Sequence, residues 1–103
     1  MKGSKCGGNM YIILVYDINL ESNEGHRVLR NSFKTCKKYL HHIQNSTFEG
    51  ELLESQLLKL KKELNKYIRK DLDSVIIFSS RNKRWMNKEF VGRNEVDKTS
   101  NFL

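Results

Sequence analysis

The chain has 103 residues, 38% of them apolar and 30% charged, and its 19 Lys and Arg against 12 Asp and Glu leave a formal charge of +7 and a pI near 9.5. That length fits one domain with a single core, and no run of about 18 apolar residues is present to span a membrane as a helix. The cationic surplus favours a polyanionic partner, with nucleic acid the commonest, although a merely solvated basic surface is the plain alternative.

Residues 1–9 carry no pattern and are expected to form a disordered tail, with Met10 an equally good natural start. No apolar signal-peptide core follows Met1. The two cysteines, Cys6 and Cys36, make no disulfide framework, so the expected location is the cytoplasm. Tyr11 to Val15 and then Tyr16 form an unbroken apolar and aromatic run that ends in Asp17. Such a run reads as a strand buried on both faces. Asp17, where the strand leaves the sheet, is either a cap for the next loop or an oxygen ligand, and position alone leaves both open.

A polar loop follows, with Ser22 and Asn23 as N-cap candidates. The spacing then predicts a helix from about Glu24 to Leu40 whose stripe is Leu29, Phe33, Cys36 and Leu40. Arg27, Arg30, Lys34, Lys37 and Lys38 occupy much of its remaining surface. His41 to Leu52 reads as two short strands or one bent strand, with Gly50 marking a bulge or turn. A second helix is expected from Leu53 or Ser55 to Arg69. Its buried face runs from Leu53 to Ile68, and Lys66, Arg69 and Lys70 close its last turn. Asp73 to Ser80 reads as another strand. Arg81, Lys83 and Arg84 come next, then a possible final strand through Trp85, Met86, Phe90 and Val91 to Gly92.

Strand, helix, two strands, helix, strand is the split βαβ plan of the ferredoxin-like α/β sandwich, an antiparallel sheet with both helices on one face. The expected layout is a tail over 1–9, the domain over 10–80, and a C-terminal strand and tail over 81–103 serving dimer and partner contacts. The bare sheet face then needs a cover, and a second copy of the chain related by a two-fold axis is the expected one.

Zinc, a phosphate-cradling glycine loop and an aromatic RNA-recognition pattern find no matching spacing here. Asp17 remains. Magnesium takes one or two carboxylates, water and substrate phosphate. One Asp is a poor site, but two copies facing each other across a dimer axis make a reasonable one, able to activate water and to neutralise a scissile phosphate.

Three stretches carry a resemblance: Tyr11 to Ile18 followed by Arg27-Val28, Ile43 to Leu52, and Asp73 to Phe78. Together they resemble the CRISPR-associated protein two family, the small ferredoxin-like partner of the CRISPR integrase in antiviral spacer acquisition. The match covers about Met10 to Ser80, and the tail from Trp85 to Phe102 is similar to one branch. One departure is Leu53, which stands where the second helix usually opens with Thr or Ser.

The resemblance implies a homodimer holding Mg2+, or Mn2+, between the Asp17 side chains, and a C-terminal strand added to the partner's sheet. It implies a metal-dependent endonuclease on single-stranded RNA or DNA, and an adaptor that bridges integrase dimers on double-stranded protospacer DNA. The alternatives are a free-standing toxin-like endoribonuclease and a small RNA-binding module. Nucleic-acid contacts are expected at Arg27, Arg30, Lys34, Lys38, Arg81, Lys83 and Arg84, mostly with phosphates and indifferent to sequence.

Overall fold

The computed structural model describes residues 9–81 together with Glu89 and Val91. Six elements follow in order: β1 (Asn9–Asp17), α1 (Asn23–Tyr39), β2 (His41–Gln44), β3 (Thr47–Leu53), α2 (Glu54–Asn65) and β4 (Ser74–Ser80). The strands lie in the order β2-β3-β1-β4, with every neighbouring pair antiparallel. This is the ferredoxin-like arrangement the element order predicts. The expected C-terminal strand through Trp85, Phe90 and Gly92, the cations Lys83 and Arg84, and the tail after Asp97 lie outside the described residues.

Alternation along β1 decides what faces what. Ile12, Leu14 and Tyr16 are buried in the core, while Asp17 is exposed and Ile13 and Val15 are half-buried. Successive strand side chains point to opposite faces, so the first set lies under the helices and the second on the bare face. Phe48 of β3 pairs with Leu14 and is fully buried, as is Leu60 of α2. Each such side chain contributes roughly 1.5–3 kcal/mol by leaving water.

Helix α1 starts where Ser22 Oγ accepts from the Gly25 N–H at 3.3 Å, the N-cap chemistry expected there. Gly25 is required: a Cβ would stand 2.1 Å from the Asn19 carbonyl oxygen. Cys36 and Leu40 of the expected stripe are buried, while in the earlier turns the buried line sits one residue back from Leu29 and Phe33. Val28, Ser32, Thr35 and Cys36 face the sheet, and Leu29 and Phe33 are only partly covered because they border an open cavity.

The break in the 41–53 stretch falls at Asn45-Ser46, not at Gly50. Gln44 pairs with Thr47 across a two-residue turn, and Asn45 supplies the positive φ of 43° that such a hairpin requires. Gly50 lies inside β3 opposite Ile12, where its missing side chain admits Leu40; a Cβ would approach Leu40 Cδ2 to 2.9 Å. Leu53, lacking a capping oxygen, still opens α2 because its N–H donates to Gln56 Oε1 at 2.8 Å.

α2 ends at Asn65, four residues before the expected Arg69. Tyr67 and Ile68 close the helix with backbone bonds to Leu64 O, and Arg69 then turns toward Asp73. Lys66, Arg69 and Lys70 therefore do not form a helical last turn. Asp73 stands before β4 and is no part of it.

Candidate metal and nucleic-acid site at the end of the first strand

Asp17 is the last residue of β1, in register with Ser74, the first of β4. Of its two readings, the cap role is taken by other oxygens. The Asn19 N–H donates to Asp73 Oδ1 at 2.9 Å, the Glu21 N–H to Asn19 Oδ1 at 2.9 Å, and the Gly25 N–H to Ser22 Oγ. The Asp17 carboxylate is left exposed at the rim of the bare sheet face.

The loop behind it is clamped. Asp73 Oδ2 accepts from the Arg69 backbone N–H at 2.9 Å and from Arg69 Nε at 2.8 Å, and Arg69 Nη2 donates both to Asp73 Oδ1 at 2.9 Å and to Asn19 O at 2.7 Å. The Asp73 side chain is fully buried. The Arg69 hydrogen bonds lead the causes that hold its carboxyl down at about 2, against the opposing effect of burial. Charge-assisted, two-pronged pairing of this kind fixes geometry as well as energy. Neither residue was singled out from sequence as part of the site, although their i, i+4 spacing was the available signal.

On the bare face, Ile13 pairs with Phe78 and Val15 with Ile76, and Phe78 and Ile76 are 52% and 53% exposed. Tyr11, further along, donates its hydroxyl to Glu49 Oε1, and burial with this bond pushes its phenol far up. Among the described residues no group of three or more His, Cys, Asp or Glu is placed to hold a metal. Asp17 by itself is one exposed carboxylate, which fits a magnesium ion only with a second ligand from elsewhere.

The cations divide into separate groups. Arg27, Arg30 and Lys34 are exposed along α1. Arg30 and Lys34 also line a cavity with Tyr16, which neighbours Asp17 in the chain. Lys38 is already engaged, by Glu63 Oε1 at 2.5 Å and above the Tyr39 ring. Arg81 follows β4 at the opposite end of the sheet, beyond the Tyr11–Ser80 pair. At about 3.3 Å per residue it lies roughly 20 Å from the Asp17 end. Within one copy, the α1 cations Arg30 and Lys34 lie toward Asp17's end of the sheet, together with Arg69, which is bound to Asp73 and Asn19, whereas Arg81 does not.

A family model described as CRISPR associated protein Cas2 matches residues 10–88. The chain belongs to the Cas2 family. A Cas2 relative from Fusobacterium nucleatum subsp. nucleatum, named CRISPR-associated endoribonuclease Cas2, is 61% identical over 100 residues, which span 96% of this chain and 92% of the relative. A Moorella thermoacetica relative of the same name, numbered 2, is 45% identical over 92 residues, covering 89% of this chain and all of the relative. A crystal structure of Cas2 superposes with a TM-score of 0.72 at 37% identity, over 84% of this chain and 91% of the other. Cas2 of Streptococcus pyogenes, crystallised at pH 6.5, gives a TM-score of 0.65 at 27% identity, over 78% and 99%. The family thus places the chain among CRISPR-associated proteins whose relatives bear the name of nucleases. No helix among the described residues is long and apolar enough to cross a membrane.

Proposed function

We propose that this Cas2-family chain works as a homodimer that binds nucleic acid in CRISPR spacer acquisition and cleaves phosphodiester bonds with Mg2+ or Mn2+ held by Asp17. One observation carries the reading: Asp17 is exposed and uninvolved in capping, at the edge of a sheet face that leaves Ile76 and Phe78 half uncovered. A second copy packed on that face by a two-fold axis covers the apolar side chains and brings two Asp17 carboxylates to one place. Two carboxylates with substrate phosphate and water satisfy what magnesium requires. The bound ion would lower the pKa of a coordinated water and neutralise charge on the scissile phosphate. The chain's own share is to hold Asp17 still, through the Arg69–Asp73 clamp, and to attract the phosphate backbone with its cations.

The same dimer serves as an adaptor between copies of the CRISPR integrase on protospacer DNA, in the reading that treats cleavage as secondary. Asp17→Asn separates the roles. Under the adaptor reading, spacer acquisition in cells survives the substitution while RNA or DNA cleavage in vitro disappears. Loss of both assigns catalysis to the biological role, as for a toxin-like endoribonuclease. Undiminished cleavage removes Asp17 from the site.

A further inference from the structure

A cavity of about 540 Å³ opens beside α1 at the Asp17 end of the sheet. Its size is that of pockets that take small organic ligands. Tyr16, Leu29 and Phe33 make it chiefly apolar, Arg30 and Lys34 bring two cations, and the β2–β3 turn contributes Asn45 and Ser46. The α1 contributions follow from helical spacing. Leu29 and Phe33 are four residues apart, and Arg30 and Lys34 form the adjacent row one residue further round.

Phe33 is held firmly. Its ring meets His42 edge-on at 5.0 Å and Phe48 at 5.6 Å, and it remains partly uncovered toward the cavity. The turn is fixed too, because the Tyr16 N–H donates to the Ser46 carbonyl at 3.1 Å. Three chemistries therefore converge: a rigid aromatic surface, two cations, and a polar turn with an amide and a hydroxyl. An apolar ligand without an anionic group would leave Arg30 and Lys34 unused. A nucleotide uses all three, with its base on the ring, its phosphate at the cations and its base edge at the turn.

We propose that this cavity is a subsite for one unpaired nucleotide, with its base against Phe33 and its phosphate on Arg30 and Lys34. Tyr16 lines the cavity and Asp17, the next residue, turns to the other face of the same strand. An unpaired nucleotide lodged here thus sits one residue along β1 from the candidate metal ligand. Single-stranded or frayed substrates gain a foothold that a base-paired stretch does not. The proposal rests on the nucleic-acid reading above, and its test follows binding independently of cleavage.

The test is fluorescence anisotropy at fixed salt with the full chain, using a labelled 12-nucleotide single-stranded RNA and a duplex of equal length. Phe33→Leu keeps an apolar side chain but loses the ring. It is expected to weaken the single strand about tenfold, in line with the worth of one base–aromatic stack, and to leave the duplex unchanged. The double substitution Arg30→Ala with Lys34→Ala is expected to weaken the single strand by a similar factor or more. Uridine monophosphate, followed by shifts of the Ser46 and Lys34 amides in NMR, distinguishes sources. If it binds in a Phe33-dependent way while the RNA is indifferent to Phe33, the site belongs to free nucleotides. A folded Phe33→Leu protein that binds both probes like the wild type overturns the proposal.

If Phe33→Leu does not fold, 5-iodouridine RNA crosslinked to the unaltered protein decides: Tyr16 or Phe33 adducts support the site, and adducts confined elsewhere overturn it. Should cleavage prove independent of Asp17, the nuclease reading falls and the binding result stands.

Discussion

Arg69 grips Asp73 through Nε at 2.8 Å and Nη2 at 2.9 Å, and with the same Nη2 it reaches Asn19 O at 2.7 Å. One ion pair thus ties the start of β4 to the loop leaving β1, just behind Asp17. Asp73→Asn leaves the guanidinium without its countercharge and weakens the charge-assisted bonds that hold the loop. The expected result in urea denaturation at pH 7 is a midpoint well below wild type. An unchanged midpoint would show that the clamp does not hold the fold.

The same pair sets the acid limb of stability. Asp73 titrates at about 2 when folded, against an ordinary 3.8, chiefly because of the Arg69 hydrogen bonds. Below pH 4 the unfolded chain takes up a proton that the folded chain refuses, so stability is complete above pH 4 and falls as pH approaches 2. Asp73→Asn is expected to flatten this limb. If the variant's denaturation midpoints fall as steeply as those of wild type between pH 4 and 2, other carboxylates are responsible.

At the alkaline end the buried Cys36 thiol is pushed by desolvation from 9.0 to about 12. Tyr16 rises from 10.0 to about 12, again chiefly by desolvation and with a smaller contribution from Cys36. Both groups keep in the folded state a proton that the unfolded chain releases. Their contribution is therefore full below pH 9 and lost as pH climbs toward 12. Cys36→Ala lowers stability at neutral pH by leaving a small cavity, but its stability is expected to decline less between pH 9 and 10 than that of wild type. Parallel curves in guanidinium denaturation would exclude Cys36 as the source.

Phe78 and Ile76 supply a test of the dimer. Both are half exposed on the bare sheet face, so Phe78→Glu has little to disturb within one copy but places a charge in the proposed interface. Light scattering at micromolar concentration is expected to show wild type as a dimer and the variant as a monomer with unchanged far-UV circular dichroism. A monomeric wild type would remove the two-fold site along with the interface.

The fold was readable because its signals are local and periodic. The apolar run ending at Asp17 and the leucines of α2, Leu57, Leu60 and Leu64, announce their elements without help from the rest of the chain. What escaped depended on tertiary company. Gly50 reads as a breaker until Leu40 is seen against it, and Arg69 reads as a helix-end cation until Asp73 is found to turn the chain. The site was half legible. Asp17 could be singled out by its position at a strand end, but that Lys38 is spent on Glu63 and that Arg81 lies at the far end of the sheet are facts of folding. The Phe33 cavity was hidden in a stripe that helical spacing assigns wholly to the core.

The remaining prediction concerns Asp17 and the metal. If two Asp17 side chains hold the ion, magnesium binds the folded dimer and raises its stability by RT ln(1 + [Mg]/Kd), about 1.4 kcal/mol at ten times Kd. Asp17→Asn removes the charge and keeps the shape of an exposed side chain, so the variant is expected to fold as well as wild type without metal. It should lose the magnesium-dependent rise in Tm, together with cleavage. The measurement is thermal unfolding with and without 10 mM magnesium, paired with a cleavage assay on the same samples, both at constant ionic strength so that screening of the +7 chain does not imitate a specific ion. A magnesium shift that persists in the variant assigns the ion to other groups. A lost shift with retained cleavage means that the ion stabilises the dimer without taking part in the chemistry.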